Sequence, residues 1–123
     1  MDIAYDKFVG LVEEAFDSLS EEIKSKLHNV VILVDDQPTN DQLAKISLGN
    51  GMVLFGLFEG RGQASGINFG PVLPDRITIF REAICNRWST VEEIRSQILS
   101  TLKHEIAHHF GLGEDGARRA SLK

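Results

Sequence analysis

The N-terminal third of the chain carries two kinds of apolar pattern. Apolar side chains at helical spacing, with acidic residues between them, predict an amphipathic helix over 2–18. Ser20 precedes a Glu-rich turn and predicts an N-cap, and therefore a short second helix that ends near Leu27. After Asn29, the run VVILV at 30–34 is continuously apolar and rich in β-branched residues, which predicts a buried strand.

The middle of the chain is interrupted by turn-forming residues. Residues 37–51 mix turn formers with a few apolar positions and are predicted to be mostly loop. Residues 52–59 predict a strand in which Gly56 marks a bulge or a close backbone approach. Residues 60–76 hold four glycines and two prolines and predict an irregular loop, long enough to be functional. Apolar and polar residues alternate over 77–81, which predicts a strand with one solvated face.

The longest predicted element is a helix near the end of the sequence. The segment Ser89-Thr90-Val91-Glu92 matches a capping box, and no Gly or Pro follows it before Gly111. The apolar positions of this helix repeat at helical spacing and predict the side that faces the core. These positions are Val91, Ile94, Ile98, Leu102 and Ile106.

Length and composition limit the classes of protein to which the chain can belong. A sequence of 123 residues with 42% apolar residues predicts a single domain over 1–123. Its 13 basic and 18 acidic residues give a net charge of −5, which argues against nucleic acid as a partner. The sequence shows neither a long apolar run nor a basic signal sequence, so we expect no membrane association and a cytoplasmic location.

The candidate chemistry lies in the last helix, in the segment His104-Glu105-Ile106-Ala107-His108. Histidines four residues apart project from the same side of a helix, about 40° apart, so both imidazoles can reach one metal ion. Glu105 lies beside the two ligands, where it can face metal-bound water. Since the pair lies at the edge of the apolar stripe, near Gln97, Ser100 and Thr101, a metal site is favoured over two histidines on a solvated face.

Two other residues favour structural roles. His109 falls in the apolar stripe, so we expect it to be buried and hydrogen-bonded rather than to bind the metal. Cys85 is the single cysteine and has no partner at the spacing of metal ligands, so we expect it to be a buried small hydrophobe.

The segment HEIAHHFGLGE resembles the extended HExxHxxGxxD motif of a family of small bacterial zinc metallopeptidase candidates with a minimal zincin fold. Segments 54–60 (LFGLFEG) and 73–81 (LPDRITIFR) and the strand at 30–34 are also similar to that family. The resemblance implies an α+β fold in which a small mixed sheet packs on an N-terminal helix and a long C-terminal helix. It also implies a Zn²⁺ site of His104, His108 and an acidic third ligand, with Glu105 as general base of peptide hydrolysis by a zinc-activated water.

The third ligand is the point at which the sequence departs from the family pattern. Glu114 stands where the family has aspartate, and Asp115 follows it. Zinc accepts either carboxylate. The register favours Glu114, with Asp115 as the alternative, and both could instead be exposed acids near the end of a helix.

The expected substrate is a peptide or an unfolded protein. The strand at 77–81 is a candidate edge for pairing with an extended peptide, and 60–70 is a candidate lid, although both could be ordinary structure.

Only 15 residues follow His108, and no methionine follows the motif to form a Met-turn. We therefore expect the far wall of the cleft to come from the Gly-rich loop, a second copy, a partner protein or the substrate. The alternative function is a catalytically weak or inactive zincin-fold module for metal or peptide binding or for regulation.

Overall fold

A computed structural model describes residues 1–46, 53–60 and 73–111 of the chain. In these ranges the chain forms helices and strands in an α+β arrangement, as expected. Their order is α1 (Tyr5–Asp17), α2 (Glu21–Ser25), β1 (Val30–Asp35), α3 (Asn40–Ala44), β2 (Gly56–Glu59), β3 (Asp75–Phe80), α4 (Arg81–Arg87) and α5 (Val91–His109).

The three strands form a small mixed sheet in the order β1-β3-β2. Strand β3 pairs in parallel with β1 and antiparallel with β2, so Ile77 lies between Ile32 and Phe58. The prediction that the strand at 77–81 has a solvated face and offers an edge was therefore wrong. Both edges of β3 are paired, and Thr78, at a position predicted to be polar and solvated, is only 1% exposed.

Strand β1 was predicted to be fully buried, and this was wrong for one of its faces. Val30, Ile32 and Val34 pack against the core, whereas Val31 and Leu33 are 39% and 40% exposed. An edge strand with a single covered face normally shows alternating polar residues. In β1 the exposed positions are also apolar, so the sequence does not show which face is covered.

The core lies where α1, α5 and the sheet meet. The predicted stripe of α5 is confirmed at four of its five positions, since Ile94, Ile98, Leu102 and Ile106 are buried and Val91 is half-buried. Helix α1 contributes its own apolar side to the same cluster, and α5 also packs against β2 and β3. Full burial of such an aliphatic side chain contributes about 1.5–3 kcal/mol. The buried residues of α1 are Phe8, Leu11, Val12 and Ala15.

Capping boxes set where α3 and α5 begin. The Thr90 hydroxyl accepts a hydrogen bond from the Glu93 backbone N–H at 3.2 Å, and the Glu93 carboxylate accepts one from the Thr90 N–H, so the capping box lies one residue later than predicted. Thr39 and Gln42 form the same kind of box at α3. The prediction of loop over 37–51 was therefore wrong at α3, and 47–51 lie outside the described residues.

The remaining predicted elements agree with the structure within a few residues. Helices α1 and α2 lie inside the predicted ranges, and Ser20 caps α2 by accepting a hydrogen bond from the Ile23 N–H at 3.1 Å. The strand predicted at 52–59 is confirmed over its second half, β2, whereas 53–55 precede the strand and position 52 lies outside the described residues. Of the loop predicted at 60–76, residues 61–72 lie outside the described residues, and Asp75 already begins β3.

Candidate metal centre

The last two turns of α5 bring together the side chains that the sequence singled out. One potential ligand atom from each of His104, Glu105 and His108 lies within 4.8 Å of the other two. The two imidazole rings have centroids 5.1 Å apart and are inclined at 75°. Glu105 is buried at 8% exposure, whereas both histidines are half-buried. The cluster therefore lies at the edge of the core, open on its histidine side.

This donor set is compatible with a metal ion. Two nitrogens that bind one tetrahedral zinc ion at about 2.0–2.1 Å lie about 3.3–3.4 Å apart. The three potential ligand atoms all lie within 4.8 Å of one another, so small side-chain rotations would bring the two imidazole nitrogens to this separation. Imidazole pairs on one helical turn, with a carboxylate beside them, are the donors that zinc accepts.

Strand β2 passes directly against the centre at Gly56, which confirms the close backbone approach expected there. A Cβ atom at this position would lie 2.5 Å from the Thr101 Cγ2, 3.2 Å from the Thr78 carbonyl oxygen and 3.5 Å from the Glu105 Cγ. Thr101 is itself fixed, because its hydroxyl accepts a 2.7 Å hydrogen bond from the Gln97 side-chain amide. The absence of a side chain at Gly56 thus lets the sheet pack against the helix beside Glu105.

The chain as a whole has counterparts among known proteins. The model of the zincin-like metallopeptidase family matches residues 27–121, which is most of the chain. The chain belongs to this family. The family resemblance and the α+β zincin-like architecture are thereby confirmed.

The zincin-like fold also occurs in a solved structure. A conserved hypothetical protein from Thermus thermophilus has a TM-score of 0.61 to this chain at 22% identity, over 88% of this chain and 94% of that one. At this identity the likeness shows the fold alone. No curated protein matches the chain.

His109 of the zincin-like chain takes the hydrogen-bonded place expected for it. Its Nδ1 atom lies 2.8 Å from the Asp75 Oδ2, and its side chain is 10% exposed. The Phe58 ring of β2 packs against both His108 and His109, with centroid separations of 6.3 and 6.2 Å. Neither Asp75 nor Phe58 was identified as a site residue from the sequence, because both come from strands remote from the motif.

Other predicted residues of this zincin-like protein fall into two groups. Glu114 and Asp115 lie outside the described residues, as do positions 61–70 of the candidate lid. Cys85 lies on α4 in the buried core, as expected, and burial raises the pKa of its thiol. Within the described ranges, no helix combines the length and apolar character needed to cross a bilayer.

Proposed function

We propose that this zincin-like protein is a zinc-dependent peptidase. The observation that carries the proposal is the convergence of His104, Glu105 and His108 within 4.8 Å on one side of a helix. Membership of the zincin-like metallopeptidase family supports the same activity. Zinc is the metal proposed because two imidazoles and a carboxylate suit it, and because this helical motif is typical of zinc peptidases.

His104 and His108 are the proposed protein ligands of the metal. The third ligand is an acidic residue after the helix, Glu114 in preference to Asp115, and Gly111 with a φ of +87° provides a turn of the chain just before them. When bound, zinc supplies Lewis acidity, which lowers the pKa of water and polarises the scissile carbonyl.

Glu105 is the proposed general base. Its carboxylate accepts a proton from the attacking water and passes it to the nitrogen of the leaving amine as the peptide C–N bond breaks. The backbone of β2 lies against the Glu105 stem at Gly56 and Thr101 packs beside it, which limits the motion of the carboxylate. General acid–base catalysis of this kind contributes about 10²–10⁴ in rate.

The proposed substrate is an extended peptide or a segment of unfolded protein. Among the described strands, β2 is an edge strand and lies beside Glu105, so it replaces the strand at 77–81 as the proposed pairing partner. We propose that the far wall of the cleft comes from the Gly-rich segment, from a second copy, from a partner protein or from the substrate.

The experiment compares the native chain with Glu105→Gln, which keeps the shape of the side chain and removes its charge. Zinc content is measured by elemental analysis, and cleavage is measured on a peptide library by mass spectrometry. We expect zinc in both proteins and cleavage by the native chain that is slowed by about 10²–10⁴ in the variant. Zinc in both proteins without cleavage by either would reject the peptidase and support the alternative, a metal-stabilised binding or regulatory module.

A further inference from the structure

The Phe58 ring lies against the proposed ligand His108 and its neighbour His109. It is nearly parallel to the His108 ring, at 17° and 6.3 Å between centroids. It meets the His109 ring at 65° and 6.2 Å, close to an edge-to-face contact. Aromatic rings in these arrangements attract one another and resist rotation. The orientation of the His108 ring is therefore coupled to that of Phe58.

Both His109 and Phe58 are held by contacts with the sheet. His109 is held by its 2.8 Å contact with the carboxylate of Asp75, the first residue of β3. Phe58 itself pairs with Ile77 in the centre of the sheet. A Cβ atom at Gly60 would lie 3.3 Å from the Phe58 ring and 3.8 Å from the Asp75 Oδ1, so the backbone closes another side of the ring. Phe58 thus has little freedom to move away from His108.

We infer that Phe58 is a positioning residue for the metal ligand His108 and that the Asp75–His109 pair holds Phe58 in place. The inference rests on the proposed function, because it takes His108 to be a ligand. A ligand ring fixed in advance loses less conformational freedom when it binds metal and presents its nitrogen in the required direction. Loss of partners around a ligand typically weakens metal affinity by about 10–100-fold.

The test compares two variants of the supporting set with a matched control. Phe58→Leu removes the ring against His108, and Asp75→Asn removes the carboxylate that holds His109. Phe55→Leu is the control, because Phe55 precedes β2, is half-buried and packs its ring 5.2 Å from Trp88. Phe55→Leu loses a comparable aromatic contact, which involves Trp88 and not His108. Folding of all three proteins without metal is compared by thermal unfolding.

The readouts are the zinc affinity, from competition with a chromophoric chelator, and the visible absorption spectrum of the Co²⁺-substituted protein, which reports the geometry of the ligands. We expect Phe58→Leu and Asp75→Asn to weaken zinc binding by about 10–100-fold and to shift the Co²⁺ bands. Phe55→Leu should keep the native affinity and spectrum, although its thermal midpoint should be close to that of Phe58→Leu.

Two results would overturn the inference while leaving the proposed function intact. One is native affinity and native Co²⁺ bands in Phe58→Leu. The other is an equal loss of affinity in Phe55→Leu, which would show that general destabilisation weakens the site. A native chain that binds neither metal would instead reject the proposed function, and the inference with it.

Discussion

At the scale of single residues, Thr78 shows that not every buried polar group contributes to stability. Its side chain lies in the central strand at 1% exposure, and among the described residues the hydroxyl oxygen has no hydrogen-bond partner. A buried polar group without a partner costs about 1–3 kcal/mol. Thr101 of α5 is also buried, at 6% exposure, but its hydroxyl accepts the hydrogen bond from Gln97. The same kind of group therefore has opposite effects at the two positions.

We expect Thr78→Val to raise the free energy of unfolding by about 1 kcal/mol, because a methyl group replaces an unpartnered hydroxyl of similar size. Thr101→Val is the matched control and should lower it by about 1 kcal/mol, since it leaves the Gln97 amide without its acceptor. Urea unfolding followed by circular dichroism measures both. A loss of stability in both variants would contradict the assignment of an unpartnered hydroxyl to Thr78.

At the scale of elements, the packing of β2 on α5 depends on the absence of one side chain. Gly56 lies where the strand backbone meets Thr101, the Thr78 carbonyl and the stem of Glu105. Gly10 of α1, in contrast, has no atom within 4 Å of the position of an added Cβ. Substitution of the two glycines by alanine therefore distinguishes the steric effect of an added methyl group from the effect of alanine on backbone flexibility.

Gly56→Ala is expected to lower the free energy of unfolding by about 1–3 kcal/mol, because the new methyl group forces the strand and the helix apart. Gly10→Ala is expected to raise it by about 0.5–1 kcal/mol, through the higher helix propensity of alanine. Thermal and urea unfolding measure both changes. If Gly56→Ala were as stable as the native chain, the close approach of β2 to α5 would be wrong.

The elements that the sequence predicted correctly are those with local signals. Helical spacing and caps within a few residues determined α1, α2 and α5, and the spacing of His104 and His108 on one helix brought the candidate ligands together. The exposure of β1 and the central place of β3 depend on which strands pair, and the paired residues lie far apart in the sequence. A short helix such as α3 carries too few residues for a periodic pattern, although its T-x-x-Q capping box was a usable signal.

Local and long-range signals also differ at the candidate metal centre. The convergence of Glu105 and both histidines was predictable, because one helical turn fixes their relative positions. Phe58 and Asp75 were missed, because their proximity to His108 and His109 arises only when the sheet packs on α5. The alternating pattern around Ile77 did not reveal that both edges of β3 are paired.

At the scale of the whole molecule, the candidate metal centre lies where the sheet and α5 are joined. The cluster is at the end of a helix that packs against α1, β2 and β3, and Glu105 belongs to the buried residues of that helix. A ligand that binds only the folded chain stabilises it to an extent that grows with the ratio of its concentration to the dissociation constant. Metal binding at this place should therefore stabilise the entire fold.

We expect zinc at 100 times its dissociation constant to stabilise the native chain by about 2.7 kcal/mol, and excess chelator to reverse the effect. His104→Ala should abolish the zinc-dependent rise in the thermal midpoint. Glu114→Ala should reduce it strongly, whereas Asp115→Ala should leave it near the native value. Scanning calorimetry with and without zinc measures these changes, and a full loss in Asp115→Ala alone would assign the third ligand to that residue.

The order of the elements along the chain also bears on how the centre is made. Gly56, Phe58 and Asp75, which contact or hold the residues of the centre, all precede α5 in the sequence. During synthesis on the ribosome these residues emerge before His104 and His108, since translation proceeds from the N-terminus. The surface that receives the ligands is therefore synthesised before the ligands themselves, and the candidate metal centre is completed only after the sheet beside it has been made.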